Sequence, residues 1–248
     1  MMSIIGTCVN LTSYSEATRN VLDWSMRGES RTICAANVHM LMEAYDSVQY
    51  RDVLNQADLV TPDGMPLVWM LRLKGAKGQT RVYGPTLMLH VLEQAAREQI
   101  PVGFYGSAPQ TLELLIARLE ERFPGLKVVY AFSPPFRALN ELESTQVTAE
   151  IVKSGARILF VGLGCPKQET WMAEHKGKIP AVMLGVGAAF DFHAGIKRQS
   201  PLILQKLGLE WLFRLIQEPK RLWRRYLYHN PRFVFLAMAD LLGFLHPR

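Results

Sequence analysis

Asp63 stands in Thr61-Pro62-Asp63-Gly64, a turn signature directly after a short β-type run. A carboxylate at a strand end can act as a general base if it reaches the proton it removes. An aspartate in an isolated turn more often bonds its own backbone. Asn37, at the end of Arg31-Thr-Ile-Cys-Ala-Ala, has a similar choice between helix cap and ligand contact. In Gly162-Leu-Gly-Cys-Pro-Lys-Gln168-Glu169, glycines follow a buried-type run, and backbone N–H groups there suit an anionic or polar ligand. Lys167 and Gln168 add a cation and an amide; a generic strand-to-helix turn has the same composition. Gly185-Val-Gly187 is a third glycine-bearing strand end. The Asp191 and His193 that follow it are two possible metal ligands where a site needs more. Arg214, Arg221 and Arg224, spaced by seven and three, would share a face of an uninterrupted helix. Such a face is either solvated or a diphosphate clamp, because guanidinium forks bind phosphate oxygens bidentately.

Other chemistries lack their signatures. No G-x-G-x-x-G turn and no P-loop lysine occurs, which argues against dinucleotide and Walker-type sites. No Asp-x-Asp is present to hold a divalent metal, and Ser107 has no His or acid motif placed for a hydrolase. No metal site and no cofactor is therefore expected.

The elements that must position these residues form an α/β pattern. Strand-type runs are read at 31–36, 58–61, 101–106, 126–130, 157–164 and 181–187, and the extended piece Arg81-Val-Tyr-Gly-Pro lies between the second and third. Helical spacing is read over 38–57, from a Thr86 cap to Glu98, and through Leu112, Leu115, Ile116, Leu119 and Phe123; residues 131–145 read as a loop. Continuous apolar strands with helical crossovers predict a Rossmann-like parallel sheet flanked by helices. Ligands of such sheets bind outside the carboxyl ends of the strands, where the unusual polar residues fall.

The chain divides in charge as well as in pattern. Its net charge is +6, yet residues 211–248 carry seven cations against two anions, leaving about neutrality before them. Residues 1–193 are read as a core and 194–248 as a basic and apolar helical appendage. In the appendage, Trp211–Gln217 reads as one short helix and Lys220–Tyr228 as a second. After Pro231, Phe233–Leu245 has a single charge among thirteen residues, suited to lie in a membrane interface. Packing on the core or on another subunit is the alternative for this segment. With 49% hydrophobic residues the chain is not disordered, and its three scattered cysteines suit a reducing compartment. Neither a signal peptide nor a run of the roughly 18–20 apolar residues of a spanning helix is seen.

Taken in order, Asn37, Thr61-Pro-Asp-Gly64, Arg81-Val-Tyr-Gly84, Gly162–Glu169, Gly185-Val-Gly187 with Phe190-Asp191, and Leu207-Gly-Leu-Glu-Trp-Leu-Phe-Arg214-Leu resemble the WecG/TagA/CpsF glycosyltransferases. The resemblance implies an inverting, metal-independent transfer from a UDP-sugar donor to a polyprenyl-diphosphate-linked saccharide in cell-surface polysaccharide synthesis. It implies a cytoplasmic enzyme, peripheral on the inner face of the bacterial cytoplasmic membrane. By motif, Asp63 is the implied base, and Asn37, Arg81, Gln168 and Gly187 line the donor pocket. Arg214, Arg221 and Arg224 complete it over the diphosphate. Teichoic-acid members carry Thr where this chain has Ala35, so a contact to their donor sugar is absent here. No nucleic-acid partner is expected, and a homo-oligomer is compatible with the sequence. The rival reading is a non-catalytic membrane or nucleic-acid binding module on the same core.

Overall fold

The computed structural model describes residues 1–245 of the chain; residues 246–248, with Arg248 of the basic cluster and the end of the expected 194–248 appendage, lie outside the described residues. A small hairpin, β1 (Met2–Ile4) and β2 (Thr7–Val9), precedes α1 (Tyr14–Met26). Then come β3 (Arg31–Ala36), α2 (Val38–Asp46), α3 (Val48–Asn55), β4 (Leu59–Pro62), α4 (Met65–Leu73) and α5 (Gly84–Arg97). The second half contributes β5 (Val102–Gly106), α6 (Pro109–Arg122), β6 (Val128–Phe132), α7 (Glu141–Ser154), β7 (Ile158–Gly162), α8 (Lys167–His175), β8 (Val182–Gly185) and α9 (Ala189–His193). The C-terminal part is α10 (Leu202–Lys206), α11 (Glu210–Gln217) and α12 (Pro219–Leu241).

Six strands form one parallel sheet in the order β4-β3-β8-β7-β5-β6. The central strands β5, β7 and β8 are buried almost throughout, as continuous apolar runs require when helices cover both faces. On one face, Met40, Leu41, Tyr50 and Met172 pack with Val161 and Met183. On the other, Ala17, Val21, Leu87, Leu112 and Phe190 pack with Phe104 and Phe160. Gly106 ends β5 with φ +121°, and a Cβ there would stand 2.7 Å from the carbonyl of Gly162, so the strand ends can meet only with glycine at this position.

Several sequence-based boundaries change. The helix read over 38–57 is two helices, because Ser47 takes an extended conformation and its side chain caps α3 by accepting from Tyr50 N. Thr86 does not cap α5; the helix begins at Gly84 with Pro85 in its first turn, so Thr86 is already inside it. The loop read over 131–145 is shorter, since β6 runs to Phe132 and Asn140 opens α7 with a reciprocal cap to Glu143.

The appendage departs most from expectation. Pro231 does not end a helix but lies inside α12. Proline removes one intrahelical donor, and the carbonyl so freed, that of Leu227, lies on an exposed stretch where solvent can replace it. The apolar run after Pro231 is therefore two-sided. Phe233, Leu236 and Ala237 are buried in the same cluster as α2, while Val234, Phe235 and Met238 are exposed. Asp240 secures the far end by pairing with Lys74 (2.7 Å) and accepting from Ile5 N (3.1 Å). By contrast, α10 and α11 bury no residue fully. Phe233→Ala is expected to cost about 3–5 kcal/mol in a denaturant titration, as truncation of a buried phenylalanine does. A loss under 1 kcal/mol would mean that α12 is not part of the core.

Candidate active site

The carboxyl ends of β4, β3, β8 and β7 lie side by side, about 4.8 Å apart. Asp63 follows β4, Asn37 follows β3, Gly187 follows β8, and Gly164 with Gln168 follows β7. Four of the motifs quoted from the sequence thus lie in one spatial row.

Asp63 is fixed by its own backbone first. Its N–H and that of Gly64 both donate to Ala36 O (2.9 and 3.1 Å), tying the turn to β3. Its carbonyl accepts from Arg81 Nε. Its Oδ1 accepts from Gly84 N (2.8 Å), an otherwise orphaned donor of the first turn of α5. Asp63 Oδ2 has no such bond among the described residues. Burial pushes the Asp63 carboxyl up to about 6, and Glu210 adds to the rise. Arg81, the Gly84 N–H and Arg214 oppose it. A carboxyl held there is ionised at neutral pH yet basic enough to take a proton. Ala35 packs beside it, 3.1 Å from where a Gly84 Cβ would stand.

Arg81 is almost fully engaged. Beyond its bond to Asp63, Nη2 pairs with Glu210 (2.7 Å), Nη1 approaches Gln205 (3.4 Å), and the guanidinium lies 4.0 Å from the Tyr83 ring centre. Tyr83 Oη donates to the other Glu210 oxygen (3.1 Å). Glu210 opens α11, so this knot joins the appendage to the Asp63 loop. Sequence reasoning passed over Glu210 and Tyr83 although both lie in quoted motifs, because neither spacing nor residue type marks a contact across 127 positions.

Asn37 caps α2, its Oδ1 accepting from Met40 N (3.2 Å), and its Cα lies 3.4 Å from where a Gly64 Cβ would stand. Gln168 is buried; its Oε1 accepts from Gly164 N (3.1 Å) and its Nε2 donates to Glu169 (2.7 Å). Glu169 is also buried, accepts from Tyr50 Oη (3.0 Å), and is raised above the usual carboxylate range by burial. Gly187 takes φ +50°, a conformation that favours glycine, and a Cβ there would stand in ordinary contact with Gln168 Oε1 at 3.4 Å. Gln168 and Gly187 are therefore neighbours, while Lys167 is exposed. Asp191 and His193 do not converge: the first pairs with Lys197 (2.7 Å), and the second bonds Pro85 O (2.9 Å).

The arginines arrive by a fold-back. The backbone turns at Glu218, and Trp211 of α11 meets Tyr226 of α12 edge to face at 5.7 Å. A straight helix would separate those residues by about 22 Å. The helix is not continuous, so Arg214, Arg221 and Arg224 do not share one helical face. Arg214, half-buried near Phe192, acts on Asp63, Tyr226 and Arg225. Arg225, half-buried beside Cys165 and Tyr226, is lowered by burial and by Arg221 and Arg214. Arg221 is exposed and pairs with Glu218. Arg224 is exposed beside the Trp223 ring, turned outward from the face that carries Leu222, Arg225 and Tyr226. Among the described residues neither Arg214 nor Arg225 has a carboxylate at salt-bridge distance, so the appendage presents uncompensated positive charge next to the strand-end row.

Among the described residues no helix is long and apolar enough to cross a membrane. A family model described as Glycosyl transferase WecG/TagA/CpsF family matches residues 2–246. A relative from Bacillus spizizenii, named N-acetylglucosaminyldiphosphoundecaprenol N-acetyl-beta-D-mannosaminyltransferase, is 32% identical over 196 residues, covering 79% of this chain and 74% of its own.

Proposed function

The chain belongs to the WecG/TagA/CpsF family of glycosyltransferases, and from that premise we propose that it moves a sugar from a UDP-sugar to a polyprenyl-diphosphate-linked saccharide with inversion and without a catalytic metal. The acceptor is of the kind the Bacillus relative's name specifies. The observation that carries this reading is the pairing of a raised carboxyl, Asp63, with Arg214 and Arg225, which lack carboxylate partners among the described residues.

In the proposed step the acceptor hydroxyl gives its proton to Asp63 Oδ2 as its oxygen attacks the anomeric carbon. The bond from that carbon to the β-phosphate oxygen breaks, and UDP leaves with the electron pair. Arg214 and Arg225, with Arg221 at the rim, stabilise the charge growing on the diphosphate. Asn37, Gly187 and Gln168 shape the donor pocket along the strand ends, Gln168 by holding the Gly164 turn. Arg81 serves chiefly to position Asp63 and Glu210, and reaches a nucleotide once Glu210 releases it. Arg224 belongs to the outward side of α12 rather than to the donor site.

The appendage also supports residence at the inner face of the cytoplasmic membrane. Its exposed side carries Leu202, Ile203, Ile216, Trp223, Leu227 and Phe235, with Lys206, Lys220 and Arg224 among them. Apolar anchors interleaved with cations suit an anionic leaflet. Incubating the full chain with single UDP-sugars, with and without a polyprenyl-diphosphate saccharide, is expected to release UDP only when both are present. No acceptor-dependent release across a broad donor panel would leave a non-catalytic module as the better reading.

A further inference from the structure

One cluster lies outside the chemistry above. On α2, His39 and Glu43 are four positions apart and share a face; α12 sets His229 against them. Glu43 Oε1 lies 3.5 Å from His39 Nδ1 and 3.6 Å from His229 Nε2, and the ligand atoms of all three residues fall within 4.8 Å of one another. The geometry points to a site for one divalent transition-metal ion of the zinc class, held by His39, Glu43 and His229, that staples the C-terminal helix to the core.

Two observations support it. Ligands about 2.0–2.1 Å from a tetrahedral ion stand roughly 3.3–3.4 Å from each other, close to the two separations found. Both ring nitrogens of His39 are buried without a hydrogen-bond partner, and an ion at Nδ1 would engage a lone pair otherwise left idle. Arg225 and Arg214 lie near His39 and repel a cation. Glu43 supplies the compensating charge, and Arg232 is already neutralised by Asp46 at 2.6 Å. The seam being joined also contains Phe233, so the ion would act on the same contact as the apolar anchor.

The test uses tag-free full-length protein stripped with a chelator and dialysed against zinc alone. Wild type is expected to retain one equivalent by elemental analysis, to show tetrahedral d–d bands when cobalt replaces zinc, and to melt at a higher temperature with metal, reversibly on chelation. Glu43→Gln and His229→Gln are expected to weaken binding by more than the roughly 10–100-fold that follows loss of a merely supporting residue. Should His229→Gln fail to fold, His39→Gln gives the same reading. No retained metal in wild type, or equal stoichiometry and affinity in the variants, overturns the site. Because these readouts are independent of sugar transfer, they separate it from the proposed activity.

Discussion

Asp63→Asn is expected to lower the rate of sugar transfer by about 10²–10⁴-fold, the range a positioned general base contributes. The variant keeps an Oδ1 to accept from Gly84 N, so its fold and donor affinity should stay close to wild type. With the carboxyl held at about 6, the wild-type rate should climb through that pH and level off above it. The variant should lack this limb. Stability provides a second check. The folded value lies above the ordinary 3.8, so stability owed to protonated Asp63 is complete below the unfolded value and is lost as pH rises through about 6. At pH 7 Asp63→Asn should therefore be at least as stable as wild type, with that advantage vanishing below about pH 4. Near-normal turnover in the variant would remove Asp63 as the base.

Arg214→Ala and Arg225→Ala are each expected to reduce turnover on the order of 10²–10³-fold, as loss of one preorganised donor at a developing anion does. The reasoning is electrostatic. Among the described residues both guanidinium groups are half-buried without a carboxylate at salt-bridge distance, Arg225 against the repulsion of Arg221 and Arg214. A diphosphate relieves that repulsion, and most strongly as charge builds on it. Arg224→Ala should behave differently, since its side chain lies outward beside Trp223. With a short-chain soluble acceptor it should turn over at the wild-type rate, and with acceptor in anionic vesicles it should fall below wild type at low ionic strength, the gap closing as salt screens the surface. If Arg224→Ala matched Arg214→Ala on soluble acceptor while Arg225→Ala did not, the inward set would be wrong.

Turn chemistry and periodicity explain which expectations were legible in the sequence. The Pro62-Asp63-Gly64 turn, the buried runs of β5, β7 and β8, and the glycines at 162–164 and 185–187 are local facts. A strand buried on both faces has to be apolar along its length, and a chain leaving it toward a ligand needs glycine or a turn residue. Parallel strands then oblige their carboxyl ends to lie together, which is why Asn37, Asp63, Gln168 and Gly187 could be placed in one crevice before any coordinates. Asn37 also shows a limit: cap and ligand contact use the same residue type, and only the structure reveals that its oxygen is taken by Met40 N.

What the amino-acid order determined by itself was the sheet, the polar and glycine-bearing edge at the carboxyl ends of its strands, and a tail rich in cations and apolar side chains. Which tail residues reach that edge was decided only by tertiary structure. Helical spacing grouped Arg214, Arg221 and Arg224 on the assumption of one straight axis, but the turn at Glu218 folds α11 back so that Arg225 takes the inward position. The helix read over Lys220–Tyr228 runs on through Pro231 as α12, whose buried face rests on α2. The knot of Arg81, Tyr83 and Glu210 and the His39–Glu43–His229 seam depend likewise on contacts between residues more than a hundred positions apart. Local pattern carries no information about such pairs, because their energy exists only once separate elements have packed.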